Sequence, residues 1–212
     1  MKKLIIIGTG GFAREVVFHA QNSLGFKTEW DLKGFLDGDV KLPEEEYKKL
    51  KLPLLGDVKN YEIEKDDVFI CAIADPKVRE RLTKIIEDKG GEFMTLIHRT
   101  ALVSPDAKIG HGCIITAFAS IMPDSFVGNH VIFNCRAGNS HDSRIGDFCS
   151  FMGNSGIMGN VTVGHRVYFA GGAKALPHAV IEDDAYVGVD STVFKRVKKG
   201  QKVFGVPAMP IN

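Results

Sequence analysis

Residues Phe133–Ser155 read FNCRAGNSHDSRIGDFCSFMGNS, and their spacing decides the fold. Phe133, Asn139, Ile145 and Phe151 fall six residues apart, and four places after each comes a small residue: Ala137, Ser143, Cys149 and Ser155. Followed outward, the same beat runs from Val103 to Val193. Fourteen of those sixteen positions are aliphatic or Phe; the exceptions are Asn139 and Ala175. The sixteen residues four places further on, Ala107 to Val197, are all Ala, Ser, Cys or Val. A helix repeats every 3.6 residues and a strand every 2, so neither makes this pattern. A short constant period marks a solenoid. Each hexad supplies one short strand and one corner, and three hexads close a triangular coil. The aliphatic residue points into the narrow interior and the small one fits a tight corner. Gly110, Gly128, Gly146 and Gly164 recur once per coil, where backbone freedom is expected to help a corner turn. Phe133, Phe151 and Phe169 should stack inside. Such a fold buries its core by stacking neighbours, which tells against a β-sandwich, a TIM barrel or a larger Rossmann enzyme.

Residues 1–97 follow a different pattern, with strands alternating with helices, which implies a parallel sheet. KLIIIG, LKGFLD, DVFICAIA and EFMTLIH read as strands. GFAREVVFHAQNSLG reads as a helix with Phe12, Val16, Val17, Ala20 and Leu24 on one face and Gly25 as its stop. DPKVRERLTKIIEDKGG is a second helix, with Asp75 as N-cap and Pro76 in the first turn. EEEYKKLK is expected to be a solvated helix face or loop. The chain thus divides into an α/β, Rossmann-like domain over residues 1–97 and an all-β parallel β-helix with its tail over 98–212.

Whole-chain properties narrow the function. With 44% hydrophobic and 25% charged residues, the composition is that of an ordinary soluble globular protein. A formal net charge of +1 gives no field toward nucleic acid or a membrane surface. The longest apolar run is too short to span a bilayer, so no membrane insertion is expected. MKKLIIIGTGG reads as a first strand, because glycines interrupt after four apolar residues where a signal peptide would continue. Cys71, Cys113, Cys135 and Cys149 show neither CxxC pairing nor zinc spacing. Reduced, buried thiols in a cytoplasmic protein are expected, and no metal.

Gly8-x-Gly10-x-x-Ala13 fits the dinucleotide fingerprint after a strand and before a helix, and Asp37 ends the next strand, where a ribose-binding acid would sit. Only about 97 residues precede the repeat, room for a mononucleotide half without a hydride-transfer domain. A phosphate site at the helix N-terminus is the preferred reading; a plain strand-to-helix turn is the alternative.

Of seven histidines, His141 stands apart. It lies two residues past Asn139, the one polar residue in the interior column, and is followed by Asp142. A histidine near neutrality with a neighbouring carboxylate suits a general base; an exposed polar turn is the other reading of the spacing. One coil on stands Gly159, whose N–H would lie close to the level of His141 and could meet an oxyanion. For His19, His98, His111, His130, His165 and His178 a solvent-facing or locally hydrogen-bonded ring is expected. His111 and His165, three coils apart, cannot form a metal pair.

The unbroken [aliphatic]-x-x-x-[small]-x repeat resembles that of the left-handed β-helix acyltransferases. The α/β segments IIIGTGGFAREV, GFLD and CAIADPKVR and the closing turn GVPAMP are similar to those of sugar acetyltransferases that modify nucleotide-linked amino sugars or sialic acid. The resemblance implies left-handed crossovers, against the usual rule for parallel strands. It also implies acetyl transfer from acetyl-CoA, by direct attack, to an amino group of a nucleotide-linked amino sugar in surface-glycan synthesis. The acceptor's UDP or GDP would lie on Gly8, Gly10, Gly11 and Phe12, with Asp37 at the base or ribose and Ala74 and Asp75 lining the site. Phe12 stands where some relatives carry a histidine. Asn134 and His141 match the family's N-x6-H spacing, which makes His141 the base and Asp142 its orienting acid, with Gly159 the oxyanion donor. CoA would run along the coils between the subunits of a homotrimer, past Gly171, Gly172 and Lys174. Ser150 would also meet the carrier, where some relatives place a second histidine, and the lysines of KRVKKGQK could meet its phosphates. Other activities consistent with the pattern are O-acetylation of sialic acid, a nicotinamide-dependent oxidoreductase and a non-catalytic β-helix assembly protein.

Overall fold

The computed structural model describes residues 1–38 and 43–211. Five parallel strands, β1 (Lys2–Ile7), β2 (Trp30–Asp37), β3 (Leu54–Asp57), β4 (Asp67–Cys71) and β5 (Glu92–Phe93), form one sheet in the order β3-β2-β1-β4-β5. Leu4 to Ile7 are fully buried, as a central parallel strand covered on both faces requires. Helix α1 (Gly11–Gln21) buries Ala13, Val16, Val17 and Ala20 against the sheet. It ends earlier than its apolar pattern suggested. Leu24 is 63% exposed, and Gly25 lies in the following turn at φ +78°, where a Cβ would sit 2.9 Å from the Trp30 indole nitrogen. The charged stretch holds a single exposed turn, α2 (Glu44–Tyr47). Helix α3 (Pro76–Glu87) starts as expected, the Asp75 carboxylate accepting from the Val78 N–H at 2.9 Å. Strand β3 escaped sequence reading because LLGD is too short and too exposed to show periodicity.

The remaining chain winds as a three-sided parallel β-helix. One side, here the docking face, stacks two-residue strands from Leu96–Ile97 through Ile132–Phe133 and Ser150–Phe151 to Tyr186–Val187, then Lys202–Phe204. The second face runs from Leu102–Val103 to Thr192–Val193, and the third from Lys108–Ile109 to Arg196–Val197. Strands one coil apart pair in the eighteen-residue register, as in Ile132↔Ser150 and Phe133↔Phe151. The solenoid starts one hexad before the first repeat read in sequence: EFMTLIH splits between β5 and the first docking-face strand. It ends with a shortened turn. Val197 pairs with Ile181 and is an interior residue, not the corner residue its count suggested.

Phe133, Phe151 and Phe169 are fully buried and stack at 4.7 and 4.8 Å with nearly parallel rings. Phe151→Ala is expected to destabilise the fold by about 3–5 kcal/mol, since both neighbours are held by their own strands and cannot fill the void. Urea unfolding measures it, and a loss below about 1 kcal/mol would contradict this packing.

The corners turn differently from expectation. The left-handed position of successive corners is filled mostly by ordinary residues, among them Phe118, Asp124, His130, Arg136, Asp142 and Phe148, at φ near +60°. Gly110, Gly128, Gly146 and Gly164 are not in that region. Their requirement is steric: a Cβ on Gly128 would lie 2.8 Å from the Gly146 carbonyl carbon, and one on Gly146 2.7 Å from the Gly164 oxygen.

The α/β domain packs on the docking face. Leu96, Ile114 and Ile132 join Leu4, Ile6, Val16 and Val17 in one core, so the two domains share apolar burial instead of hinging on a linker.

Candidate active site

His141 occupies the corner between the second and third faces. The Asp142 N–H donates to the Pro123 carbonyl at 3.2 Å, and the His141 carbonyl accepts from the Asn160 N–H at 3.1 Å, so the corner is tied to the coils on both sides. The left-handed backbone at Asp142, φ +57°, places its carboxylate beside the preceding side chain. Imidazole Nδ1 and Asp142 Oδ2 are 2.8 Å apart. A proton held on Nδ1 and donated to this carboxylate leaves Nε2 with its lone pair free, the tautomer a general base needs. The ring lies against Gly159: a Cβ there would be 2.6 Å from His141 Cε1 and 2.7 Å from Nε2. The Gly159 N–H has no acceptor among the described residues. The shorter acid thus reaches the ring directly, and the glycine one coil on stands at the height that counting by eighteen gives.

Asn139 explains the polar exception in the interior column. Its Nδ2 donates to Ser143 Oγ at 2.7 Å and to the Ser140 carbonyl at 3.1 Å, while Ser143 Oγ donates to that carbonyl at 2.9 Å. The His141 corner is therefore pinned from inside the solenoid. Asn134 sits at the preceding corner, its Oδ1 accepting from the Cys135 N–H at 2.7 Å, and has no bond to His141.

Beside this corner a groove of about 440 Å³ runs over the second face. Ser120, Gly138 and Gly156 floor it with almost no side chain, and Arg136, Ser140 and Lys174 border it. Lys174 Nζ donates to the Gly172 carbonyl at 3.0 Å, so Lys174 and Gly172 sit together at the groove's edge. Ser150 does not belong to it, contrary to expectation. It is fully buried, and its Oγ donates to the Ala74 carbonyl at 2.6 Å across the domain joint. Of the tail cations, Arg196 pairs with Glu182, whose carboxylate also accepts from the Lys199 backbone N–H.

A second cavity, about 360 Å³, opens at the carboxyl ends of β1 and β4, where the chain departs to opposite sides of the sheet. In an open α/β sheet this switch point is where ligands sit. Gly8, Thr9, Gly10, Gly11 and Phe12 line one wall, and Gly38, Ala72, Ile73, Val78 and Arg81 the other. Gly8 is required by its φ of +104° and by Ile73, whose side chain would be 3.0 Å from a Cβ. At Gly10, the N-cap of α1, a Cβ would meet nothing within 4 Å, and no side chain caps the helix. The open N-terminal N–H groups of α1 therefore face the cavity, a setting for phosphate.

Three residues expected here are otherwise engaged. The buried Asp37 carboxylate accepts from Thr9 Oγ1 at 2.7 Å and Tyr47 Oη at 2.6 Å, so it braces the loop from behind instead of offering its oxygens to a ribose. Ala74 turns its carbonyl to the domain joint, and Asp75 caps α3. Thr9, Ile73 and Arg81 line or brace the cavity without having been singled out in sequence. A cation on the helix after β4 was the signal available for Arg81.

Of the other histidines, His130 is the clearest departure. It is buried, stacked on Phe148 and edge-on to Phe93 at the domain joint, and burial pushes its pKa down to about 4. His19 is buried too, and its pKa is lowered by burial and by His98. Glu87, His111 and His130 form the one group among the described residues whose donor atoms lie close enough together for an ion. His130 Nδ1, however, is buried without a partner, where a ligating ring would need its second nitrogen bonded.

The cavity and His141 lie on opposite sides of one chain. The α/β domain covers the docking face, and the His141 corner joins the other two faces. The cavity and the His141 corner therefore face different sides of the chain.

Residues 3–86 match the PglD N-terminal domain family. A GDP-perosamine N-acetyltransferase of Escherichia coli O157:H7 is 31% identical over 137 residues, 65% of this chain and 54% of that protein. A UDP-N-acetylbacillosamine N-acetyltransferase of Bacillus subtilis (strain 168) is 28% identical over 117 residues, 55% of this chain and 52% of that protein. The chain spans about half the length of the curated relatives it matches. Among solved structures, PerB from Caulobacter crescentus, in complex with CoA and GDP-perosamine, superposes with a TM-score of 0.87 at 28% identity, covering 100% of this chain and 98% of that one. The acetyltransferase domain of PglB from Neisseria gonorrhoeae FA1090 gives 0.87 at 24% identity with 100% of both chains covered, a likeness of fold. The β-helix is of the left-handed kind these acetyltransferases share.

Proposed function

We propose that this chain, a PglD N-terminal domain followed by a left-handed β-helix, transfers an acetyl group from acetyl-CoA to the amino group of a nucleotide-linked sugar. The observation that carries the reading is the His141 corner: an imidazole oriented by Asp142 and laid on the Gly159 backbone, one residue past Ser140, which borders the groove. In this reading acetyl-CoA lies in the groove, with Arg136 and Lys174 near its phosphates and Gly171 and Gly172 at the edge. The acceptor's diphosphate lies on the Gly8–Phe12 loop with Arg81 as its cation. The sugar amine attacks the thioester carbonyl while His141 Nε2 takes its proton. The Gly159 N–H stabilises the oxyanion. The C–N bond forms, the C–S bond breaks, and the CoA thiolate leaves with the proton His141 has held. Cys71, Cys113 and Cys149 are not placed to form an acyl-enzyme: they are buried, with their thiol pKa values pushed up to about 12, and the half-buried Cys135 has its Sγ 3.6 Å from His19 Nε2, not at the His141 corner.

Because the half-sites face apart, the base comes from one copy and the acceptor cradle from another, which a homotrimer would satisfy. Among the described residues no helix is long and apolar enough to cross a membrane, and a cytoplasmic role in surface-glycan synthesis fits the chemistry of such acceptors. Thiol release from acetyl-CoA, measured against UDP-, GDP- and CMP-linked amino sugars and sialic acid, tests the reading. Release with a UDP- or GDP-linked amino sugar is expected. Release only with a sialic acid would assign O-acetylation instead, and no CoA binding by calorimetry would remove the reading altogether.

A further inference from the structure

Arg79 is a buried cation, 1% exposed, with no carboxylate at bonding distance among the described residues. Burying a guanidinium without a counter-charge is strongly unfavourable unless its hydrogen bonds are all made. Here they are made to backbone carbonyls on both domains. Nε donates to His130 O at 2.9 Å, and Nη2 to Phe148 O at 2.6 Å and Cys149 O at 3.1 Å, gripping two successive coils of the β-helix. Nη1 donates to Ile73 O at 2.6 Å and Ala74 O at 3.1 Å. Burial lowers its pKa to about 10, which still leaves it charged at neutral pH. Ile73 is the wall of the acceptor cavity: its side chain packs on Gly8 and Gly38. Two positions further along α3, Arg81 faces the same cavity.

We propose that Arg79 is a positioning residue that hangs the wall of the nucleotide cradle from the β-helix, and so sets the affinity for the nucleoside diphosphate of the acceptor. The inference rests on the acceptor reading above. Only a planar fork of five N–H donors spans carbonyls on both sides; a lysine keeps the charge but has three donors on one atom and cannot bridge them. Ser150 Oγ is the lesser tie, reaching the same Ala74 carbonyl. The groove over the second face has no contact with either, so CoA binding should be indifferent to them.

Calorimetric titration of wild type, Arg79→Lys and Ser150→Ala with GDP, UDP and CoA separates the cases. Arg79→Lys is expected to weaken GDP or UDP binding about tenfold or more and Ser150→Ala about threefold, both leaving CoA within about twofold. If Arg79→Lys does not fold, Ser150→Ala carries the test. Equal nucleotide affinity in wild type and variants would overturn this inference alone, as would equal loss for nucleotide and CoA, the mark of a merely structural role. Wild-type protein that binds neither GDP nor UDP would sink the acceptor reading and this inference with it.

Discussion

His141→Ala is expected to lower kcat for acetyl transfer by about 10²- to 10⁴-fold, the range for loss of a positioned general base. The side chain is largely exposed, at 62%, and bonds only to Asp142, so its removal leaves no cavity and no buried orphan. The thermal midpoint should therefore stay within about 2 °C of wild type. Kd values for CoA and for the nucleotide should also hold, because neither the groove floor nor the cradle uses the imidazole. A kcat within threefold of wild type would show that another group takes the amine's proton.

Gly159→Ala should lose activity nearly as far, by about 10²-fold or more, as the oxyanion donor and the base are disturbed together. The backbone at Gly159 is not left-handed, so alanine meets no strain there. Its Cβ would instead sit 2.6 to 2.7 Å from the His141 ring, closer than real Cβ contacts allow. Of the two partners the exposed ring is the one free to move, and in moving it leaves Asp142. Gly153→Ala is the matched control: its Cβ would meet only the Cys135 carbonyl, at 3.6 Å. Full kcat in Gly159→Ala, or equal loss in Gly153→Ala, would contradict the contact between ring and backbone.

Much of this was legible in the sequence because a solenoid is written in arithmetic. Six residues make a side and eighteen a coil, so neighbours in space can be counted, and Gly159 was placed against His141 that way. Counting failed where the coil itself changed, at the shortened last turn that puts Val197 inside, and at the first coil, where apolar EFMTLIH serves two sheets without a break in its pattern. It also mistook the purpose of Gly128 and Gly146, since spacing records a recurrent glycine but not whether φ or a close neighbour demands it. The residues that join the domains were not readable at all. Arg79 bonds to carbonyls 51 to 70 positions away, and Ser150 to one 76 positions away, partners that no local pattern encodes. Asp37 was found at its expected place, but its two partners, Thr9 and Tyr47, are fixed only by the folded loop.

The composite site is tested most directly by complementation. His141→Ala copies keep an intact cradle, and Arg81→Glu copies keep an intact base while carrying the wrong charge toward a diphosphate. Co-expressed in equal amounts and purified together without separating the assemblies, they should recover about one quarter of wild-type kcat, because random assembly joins an intact base to an intact cradle at that fraction of sites. Mixed assemblies no more active than the two parents would contradict a site shared between copies, and would require His141 and the cradle to meet within one chain.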